Sequence, residues 1–290
     1  MGLPSDLPVV DHHCHLSPNG EGVEAARRFR RGGGTHLFLA TQQYGPGTPR
    51  SVDEYRDQFE RTIALARRVR EEAAVEVYCV VAPYPVDLVR LAPEIGLAEA
   101  VRVQEAALDL AGRWVGDQRV VALGEVGRPH FAVEGPIRDA AERVFGHALE
   151  VARDAACPVV VHCEDLDAAG YRSLAEAAAR CAFPVTRLVK HYARSIVPPA
   201  ERAGVVPSYV ARRELARESL ATDGPWFWET DFLDDPGRPG AVLDLATIPR
   251  RAAEVAGRGA DASEALRIPF ERSIRAVYGF TPSVAGRSSS

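Results

Sequence analysis

The chain has 290 residues, of which 46% are hydrophobic and 26% are charged, and its formal net charge at pH 7 is −5. The apolar fraction is ample for a large core and excludes a chain that is disordered throughout. The acidic balance argues against a protein that coats nucleic acid broadly. Because the apolar runs are only strand-sized and the N-terminus lacks the features of a signal peptide, we predict no membrane span and expect a cytoplasmic location.

Short apolar segments alternate with longer amphipathic segments, which indicates consecutive β–α units around a parallel sheet. In chain order, eight strands are predicted at Leu7–Asp11, Thr35–Thr41, Val75–Val81, Arg119–Glu125, Cys157–His162, Thr186–His191, Val205–Tyr209 and Trp226–Asp231. Helices are predicted at Gly22–Arg31, Val52–Ala74, from the third strand to about Val115, and at Ile137–Ala156, Ala168–Cys181, Pro199–Ala203, Arg213–Ala221, Pro249–Ala256 and Ala262–Tyr278.

Eight units in 290 residues take about 36 residues each, the repeat expected of a (β/α)8 TIM barrel. We therefore predict an α/β protein with a single barrel domain over residues 1–290, in which residues 280–290 form a frayed tail. A doubly wound open sheet is the alternative fold. It is less favoured because no glycine-rich phosphate fingerprint follows the first strand.

The first predicted strand leads into a segment rich in metal-ligating residues, Asp11-His12-His13-Cys14-His15-Leu16. Residues two apart on a strand share a face, so Asp11, His13 and His15 can point together while His12 and Cys14 point away. Two imidazoles beside a carboxylate on one face are typical of a transition-metal site. Taken alone, the segment could also be a surface histidine cluster.

Four further strands end in a residue that can bind a metal. Glu125 ends the fourth strand, His162 the fifth, His191 the sixth and Asp231 the eighth. Each one alone is more simply explained as a hydrogen-bonded polar residue at a strand end. In an α/β barrel, however, the carboxyl ends of all strands meet at one rim, where active sites are built. The coincidence across five strands predicts a metal centre at that rim.

Six candidate ligands exceed the four of a closed structural zinc site and suffice for two cations that share a carboxylate. Such a centre leaves room for water and stabilises the charge that develops during a displacement, which is the chemistry of hydrolysis. We expect one or two divalent cations per chain. Four imidazoles favour zinc, manganese, nickel or iron over magnesium.

Together these motifs resemble the TatD family of metal-dependent hydrolases, within the wider amidohydrolase-like barrels. The matching motifs are D-x-H-x-H-L at 11–16, G-E at 124–125, P-V-V-V-H at 158–162, His191, and E-T-D at 229–231. They occur in the family's order and cover nearly the whole chain. The segment Glu229–Val242 is more similar to the archaeal TatD-related branch than to the bacterial deoxyribonucleases.

The resemblance implies two metal positions that share one carboxylate. By this resemblance, His13, His15 and Asp231 would hold one metal, Glu125 would bridge, and His162 and His191 would hold the second. Asp231 would also be the catalytic residue, as general base toward the attacking water. Asp11 would accept a hydrogen bond from a ligand imidazole and orient it.

Several positions depart from the nuclease branch of the family. The residues after His162 are Cys163 and Glu164, where the nucleases usually have a small residue and an arginine. The segment after His191 is Tyr192–Ser195 in place of Cys-Phe-Ser-Gly, and Ser17 replaces an aspartate. An acidic residue at position 164 would repel a polyanion, so no stable nucleic-acid complex is expected.

Residues in the loops at the predicted rim are candidate substrate contacts. Arg128 and Arg194 could bind an anionic substrate, or could be simple surface arginines. His130 could line the substrate pocket, and Glu164 could contact the substrate or support a ligand.

The favoured function is a metal-dependent hydrolase that cleaves a phosphoester or a carboxylic ester, amide or lactone, in a small molecule or at a nucleic-acid end. A TatD-type 3′–5′ deoxyribonuclease is the alternative within the family. A metal-dependent isomerase or lyase, or a metal-binding barrel without catalysis, is the alternative from another class. Isomerisation usually needs a separate base for a C–H proton, and no candidate beyond Asp231 is apparent.

Overall fold

The structure, a computed structural model, describes residues 3–239 and 241–284. The strands are β1 (Val10–His15), β2 (His36–Ala40), β3 (Glu76–Val81), β4 (Ala122–Gly127), β5 (Val159–His162), β6 (Leu188–Ala193), β7 (Val206–Val210), β8 (Phe227–Glu229) and β9 (Phe232–Leu233). The α-helices are α1 (Val23–Arg31), α2 (Val52–Ala73), α3 (Pro85–Ile95), α4 (Leu97–Gly116), α5 (Gly135–Asp154), α6 (Ala168–Arg180), α7 (Arg213–Ser219), α8 (Thr247–Ala256), α9 (Ala260–Ala265) and α10 (Ser273–Tyr278). Short 3-10 helices at Val185–Arg187 and Pro199–Glu201 and a π-helical turn at Ile268–Arg272 complete the elements. Within the described ranges, no helix combines the length and the apolar character needed to span a bilayer.

The strands form one parallel sheet in the order β8-β7-β6-β5-β4-β3-β2-β1-β9. Only two residues, Thr230 and Asp231, separate β8 from β9, so the two are halves of one interrupted strand, and β9 pairs with β1. The backbone amide of Asp231 also donates to the carbonyl of His13 at 3.0 Å. The sheet therefore closes on itself, and the predicted single-domain (β/α)8 TIM barrel is confirmed.

A buried carboxylate holds the seam between the last strand and the first. Asp11 is fully buried and accepts hydrogen bonds from the Thr230 backbone amide at 3.0 Å, the Thr230 hydroxyl at 2.6 Å and the His13 amide at 3.3 Å. Burial raises the pKa of Asp11 to about 8, although the Thr230 donors act to lower it. The predicted contact of Asp11 with a ligand imidazole is wrong, because its oxygens are used in joining β1 to the last strand.

Apolar side chains fill the space between the sheet and the surrounding helices. Trp226 and Trp228 of the last strand are 0% and 1% exposed. Helix starts follow local capping rules: the Ser51 hydroxyl accepts from the Glu54 amide before α2, and Asp167 accepts from the Gly170 amide before α6. The layers are thus the ones that the alternating pattern predicts.

Several element boundaries differ from the prediction. β1 runs through the histidine motif to His15, and β4 and β6 extend two residues beyond Glu125 and His191. The predicted helix Ala262–Tyr278 is divided into α9, the π-helical turn and α10. Phe280, assigned to the frayed tail, packs on Tyr78 with ring centroids 4.7 Å apart. The end of that predicted tail, residues 285–290, lies outside the described residues.

The loop after β1 is held by the buried carboxylate of Asp234. One oxygen accepts from the amide of Glu21 at 2.8 Å, and the other accepts from the amides of Ser17 and Gly22, also at 2.8 Å. A carboxylate surrounded by three backbone donors satisfies them only while both of its oxygens accept. Asp234 therefore fixes the segment that leads from the histidine motif into α1.

We predict that Asp234→Asn lowers the free energy of unfolding by about 1–3 kcal/mol, because the amide nitrogen cannot accept from backbone N–H groups. Urea denaturation followed by circular dichroism measures the change. The matched control is Asp223→Asn, an exposed aspartate, which should alter stability by less than about 0.5 kcal/mol. Equal stability of the two variants would contradict this role of Asp234.

Candidate metal centre

Six side chains with metal-ligating atoms converge at the rim formed by the carboxyl ends of the strands. They come from β1, β4, β5, β6 and the break between β8 and β9, and they are the six ligands predicted: His13, His15, Glu125, His162, His191 and Asp231. The barrel topology brings together residues that are up to 218 positions apart in the chain. Their roles as ligands remain a prediction, whereas their convergence is a property of the fold.

One half of the cluster is built on β1. Strand alternation directs His13 and His15 to the same side, with their Nε2 atoms 3.2 Å apart. His12 points the other way and stacks on Phe227 at 3.8 Å between ring centroids. Asp231 Oδ1 lies 3.8 Å from His13 Nε2 and 3.6 Å from His15 Nε2.

The backbone at Asp231 explains how its carboxylate reaches this group. Asp231 has φ of +49°, in the left-handed region that aspartate tolerates better than most residues. The strand is interrupted at this point, so Thr230 faces Asp11 at the seam while Asp231 faces the histidines. Left-handed backbone of this kind is concentrated at functional sites.

Glu125 lies between the half of the cluster built on β1 and the other half, which consists of His162 and His191. Its Oε2 lies 3.6 Å from His15 Nε2, and its Oε1 lies 3.7 Å from His13 Nε2. The same Oε1 lies 2.6 Å from His191 Nε2 and 3.0 Å from His162 Nδ1. One carboxylate therefore faces all four imidazoles.

Protons and charges are unevenly distributed over the cluster. Burial by itself would raise the pKa of Glu125, but His191 and His162 outweigh it and hold that pKa well below its ordinary value. Burial would lower the pKa of His191, whereas the carboxylates of Glu125 and Glu229 raise it to about 10. Burial lowers the pKa of His13 well below its ordinary value and lowers that of His162 as well. The carboxylates of Asp231 and Glu125 outweigh burial at His15 and raise its pKa. An ionised Glu125 paired with a protonated His191, beside neutral His13 and His162, follows from these shifts.

The donor set fits divalent cations. Two ligands about 2.0–2.1 Å from a tetrahedral zinc lie roughly 3.3–3.4 Å apart. The separations of His13, His15 and Asp231, 3.2–3.8 Å, are close to that value. Two imidazole nitrogens that face each other at 3.2 Å also have no hydrogen-bond donor between them unless one carries a proton. A cation satisfies both nitrogens at once.

Contacts around the cluster include residues that the sequence analysis did not assign. Tyr84 Oη lies 3.1 Å and His130 Nδ1 lies 2.8 Å from His162 Nε2, the nitrogen that points away from Glu125. Glu229 accepts from the Tyr192 amide at 2.6 Å and has an oxygen 3.5 Å from His191 Nδ1. Glu229 stands two residues before Asp231, so strand alternation could have identified it. Tyr84 follows a strand with no polar end and offered no such signal.

Five of the six cluster residues, all except the buried His13, form the floor of a pocket of about 710 Å³. Its walls come from the loops after β1, β2, β3 and β4 and from the segment after β9. They include Arg90 of α3, Arg238, and the His130–Phe131 pair of the β4–α5 loop. Phe131 is 45% exposed, and its ring meets His130 edge to face at 5.1 Å between centroids. His130 thus lines the pocket, as predicted for a substrate-side residue, although its role is untested.

Three other predicted substrate residues do not border this pocket. The guanidinium of Arg128 pairs with both oxygens of Glu142 on α5 and with the Ser173 hydroxyl, so its donors are directed away from the pocket. Arg194 is exposed and lies 3.6 Å from Asp165. Glu164 is exposed to solvent beside it. The prediction of substrate contacts at Arg128, Arg194 and Glu164 is corrected to this extent: none of the three lines the pocket above the cluster.

Comparison with known proteins identifies related chains. The family model described as TatD related DNase matches residues 10–279. An uncharacterized protein from Methanocaldococcus jannaschii is 27% identical over 284 residues, which covers 96% of this chain and 98% of that protein.

Solved structures share the fold. A TatD homologue from Escherichia coli superposes with a TM-score of 0.62 at 19% identity, covering 93% of this chain and 98% of its own. A TatD-like protein from Archaeoglobus fulgidus gives a TM-score of 0.56 at 17% identity, covering 89% of this chain and 100% of its own. With the family match over nearly the whole chain, the conclusion is that this protein belongs to the TatD-related DNase family.

Proposed function

We propose that this TatD-family hydrolase uses two divalent cations at the barrel rim to hydrolyse a phosphoester in a small molecule or at a nucleic-acid end. The observation that carries the proposal is the convergence of four imidazoles and two carboxylates, all but His13 of which line the floor of an open pocket. A structural metal site would be closed to solvent, whereas Asp231 in this cluster is 17% exposed and faces the pocket.

His13, His15 and Asp231 would hold one cation, His162 and His191 the other, and Glu125 would bridge them. When bound, cations in such a site lower the pKa of water and offset the negative charge that builds up during displacement. Zinc, manganese, nickel and iron suit this ligand set better than magnesium does.

Asp231 is proposed as the general base. Its exposed oxygen can accept a proton from the water that attacks the phosphorus or carbonyl atom, and can return that proton to the leaving oxygen. Tyr84 and His130 would keep the ring of His162 in the orientation that points Nδ1 at Glu125. Glu229 fixes the backbone at Tyr192 and, by its charge, favours a His191 ring that keeps Nε2 toward Glu125.

The pocket walls support a phosphoester over a neutral ester. Arg90 is half exposed, and its nearest polar partners, Asp87 and Gln43, are both 3.5 Å away, so it can reorient toward an anion with little loss. Arg238 on another wall is 66% exposed, and its Nε donates to Asp235 at 2.8 Å, which leaves its terminal nitrogens for a substrate. Phe131 offers an apolar face to a planar group of the substrate.

A 3′–5′ deoxyribonuclease is the second candidate, favoured by one further observation. The pocket continues into a neighbouring depression of about 470 Å³ that shares Gln43, Tyr44, Gly45 and Gln58 with it. Its other charged residues are Arg50 and Arg61 together with Glu54 and Asp57, so the depression offers room for a chain rather than a net positive charge. A chain longer than one nucleotide could extend from the cluster into this depression. Since Glu164 lies away from the pocket, the expected repulsion of nucleic acid by that residue loses its support.

We predict that Asp231→Asn lowers kcat by about 10²–10⁴-fold at saturating metal, because the amide can coordinate through oxygen but cannot accept a proton. Steady-state assays on a phosphodiester measure the change, with metal content determined for each sample. Asp165→Asn, outside the pocket, is the matched control and should keep wild-type turnover. Near-normal turnover of Asp231→Asn would remove Asp231 from the role of base.

We predict that zinc binding at pH 8 releases at least one proton. In the metal-free protein the pKa of His191 is raised from its ordinary 6.5 to about 10, so the ring is protonated at pH 8 and must lose that proton before it can coordinate. Metal affinity should therefore rise with pH between about 6.5 and 10. Calorimetric titrations in two buffers of different ionisation enthalpy count the protons.

The variant His191→Gln should release one proton fewer than the wild type. His147→Gln, which alters a histidine paired with Asp109 on the outer helices, should release the same number as the wild type. Zinc binding without proton release at pH 8 would contradict the protonated state of His191.

We predict that Arg90→Ala lowers kcat/KM for an anionic phosphoester by about tenfold or more and leaves a neutral ester nearly unchanged. Arg194→Ala is the matched control, because it removes an exposed rim arginine that does not border the pocket. A panel of phosphodiester, phosphomonoester, ester, lactone and amide substrates separates these cases. Equal losses on charged and neutral substrates, or a larger loss for Arg194→Ala, would refute the assignment of Arg90.

A further inference from the structure

A second cleft lies between α7 and α8 and is lined by other residues than the metal pocket. Its charged lining consists of four arginines and one glutamate: Arg213, Arg217, Arg251, Arg258 and Glu254. The cleft therefore carries a local net charge of +3, from four positive groups and one negative, on a chain whose net charge is −5. Its volume is about 320 Å³, and it shares no lining residue with the metal pocket.

One arginine of the cleft is held rigidly in place. Arg251 is only 12% exposed; its Nε donates to the Ala211 carbonyl at 3.3 Å, and its Nη1 donates to both oxygens of Glu254 at 2.9 Å. Its Nη2 has no hydrogen-bond partner in the described part of the chain. A fixed guanidinium with a free donor is suited to recognise an oxyanion.

The remaining arginines are poorly neutralised. Arg213 lies 3.5 Å from Glu254, a carboxylate already used by Arg251. Arg217 and Arg258 form no ion pair within residues 3–239 and 241–284. Arg213 and Arg217 are four residues apart on one helix, where like charges repel. An anion in the cleft would remove this repulsion.

The helix dipoles account for the positions of two of the four arginines in the cleft but not for the other two. Arg217 lies in the last turn of α7 and Arg258 follows the end of α8, and cations at such ends interact favourably with the helix dipole. That effect acts on each helix separately. It does not account for Arg213 at the start of α7 or for the immobilised Arg251, which face the same cleft.

We propose that the cleft between α7 and α8 binds a small phosphate-bearing anion with at least two negative charges, at a site separate from the metal centre. The volume is at the lower end of the range for ligand pockets, which suits a phosphate or diphosphate group rather than a large molecule. Arg251 would supply the fixed contact, and Arg217 and Arg258 would close on the anion from the two helices. This proposal does not depend on the reaction catalysed at the rim.

Calorimetric titration with inorganic pyrophosphate at low ionic strength tests the proposal, in metal-free protein so that the probe cannot act by chelation. The wild type should bind pyrophosphate, and Arg217→Gln and Arg258→Gln should each weaken binding by about tenfold or more. The matched control is Arg172→Gln, an exposed arginine of α6, which should bind like the wild type. Two separate variants on different helices guard against the misfolding of either one, and circular dichroism checks each.

Loss of binding in both cleft variants, with binding retained in the control, supports the site. Absence of binding to the wild type would overturn the proposal. Binding that is unchanged in Arg217→Gln and Arg258→Gln would also overturn it, because the anion would then occupy another site. The same holds if a single-stranded oligonucleotide binds through these arginines while pyrophosphate does not.

Discussion

The carboxylate of Glu125 is the interaction on which the rim depends. Four buried or nearly buried imidazoles would repel one another once two of them carried protons, and neutral rings would leave nitrogen lone pairs facing each other. Glu125, 6% exposed, lies within 4 Å of a nitrogen of each of them. Its charge, held by His191, compensates the cluster and leaves both halves available to cations. Replacing this one side chain would remove the carboxylate that faces both pairs of histidines and would leave only the stacking of His13 on His191 between them.

The position of the cluster depends on closure of the barrel, and closure depends on polar contacts as well as on packing. Asp11 joins the first strand to Thr230, and the next residue, Asp231, turns toward the histidines. Asp11 thus helps to fix the position of Asp231, although the two residues are 220 positions apart in the chain. An aspartate next to a histidine motif can therefore serve the geometry of the site through backbone contacts, without a contact to a ligand imidazole.

Most of the fold and the convergence of the six candidate ligands could be predicted from the chain. Strand alternation placed His13 and His15 together, and barrel topology gathered Glu125, His162, His191 and Asp231, because both rules depend only on periodicity. Loop residues obey no such rule. The ion pair of Arg128 with Glu142 could not be predicted, because packing decides which face of helix α5 is turned toward the β4–α5 loop. Arg90 was overlooked because it sits on a helix face and only the tertiary structure turns that face toward the pocket.

The pocket draws its floor from strand ends and its walls mainly from the loops after β1 to β4 and the segment after β9. The floor is fixed by the sheet, whereas the walls are segments whose lengths and side chains can vary without changing the barrel. Reaction chemistry and substrate choice are therefore encoded in separate parts of the chain. Relatives with the same ligands could diverge in substrate by exchange of the β2–α2 or β4–α5 loop alone. Conversely, transplanting those two loops onto another barrel of the family should transfer substrate selectivity with few changes to the sequence.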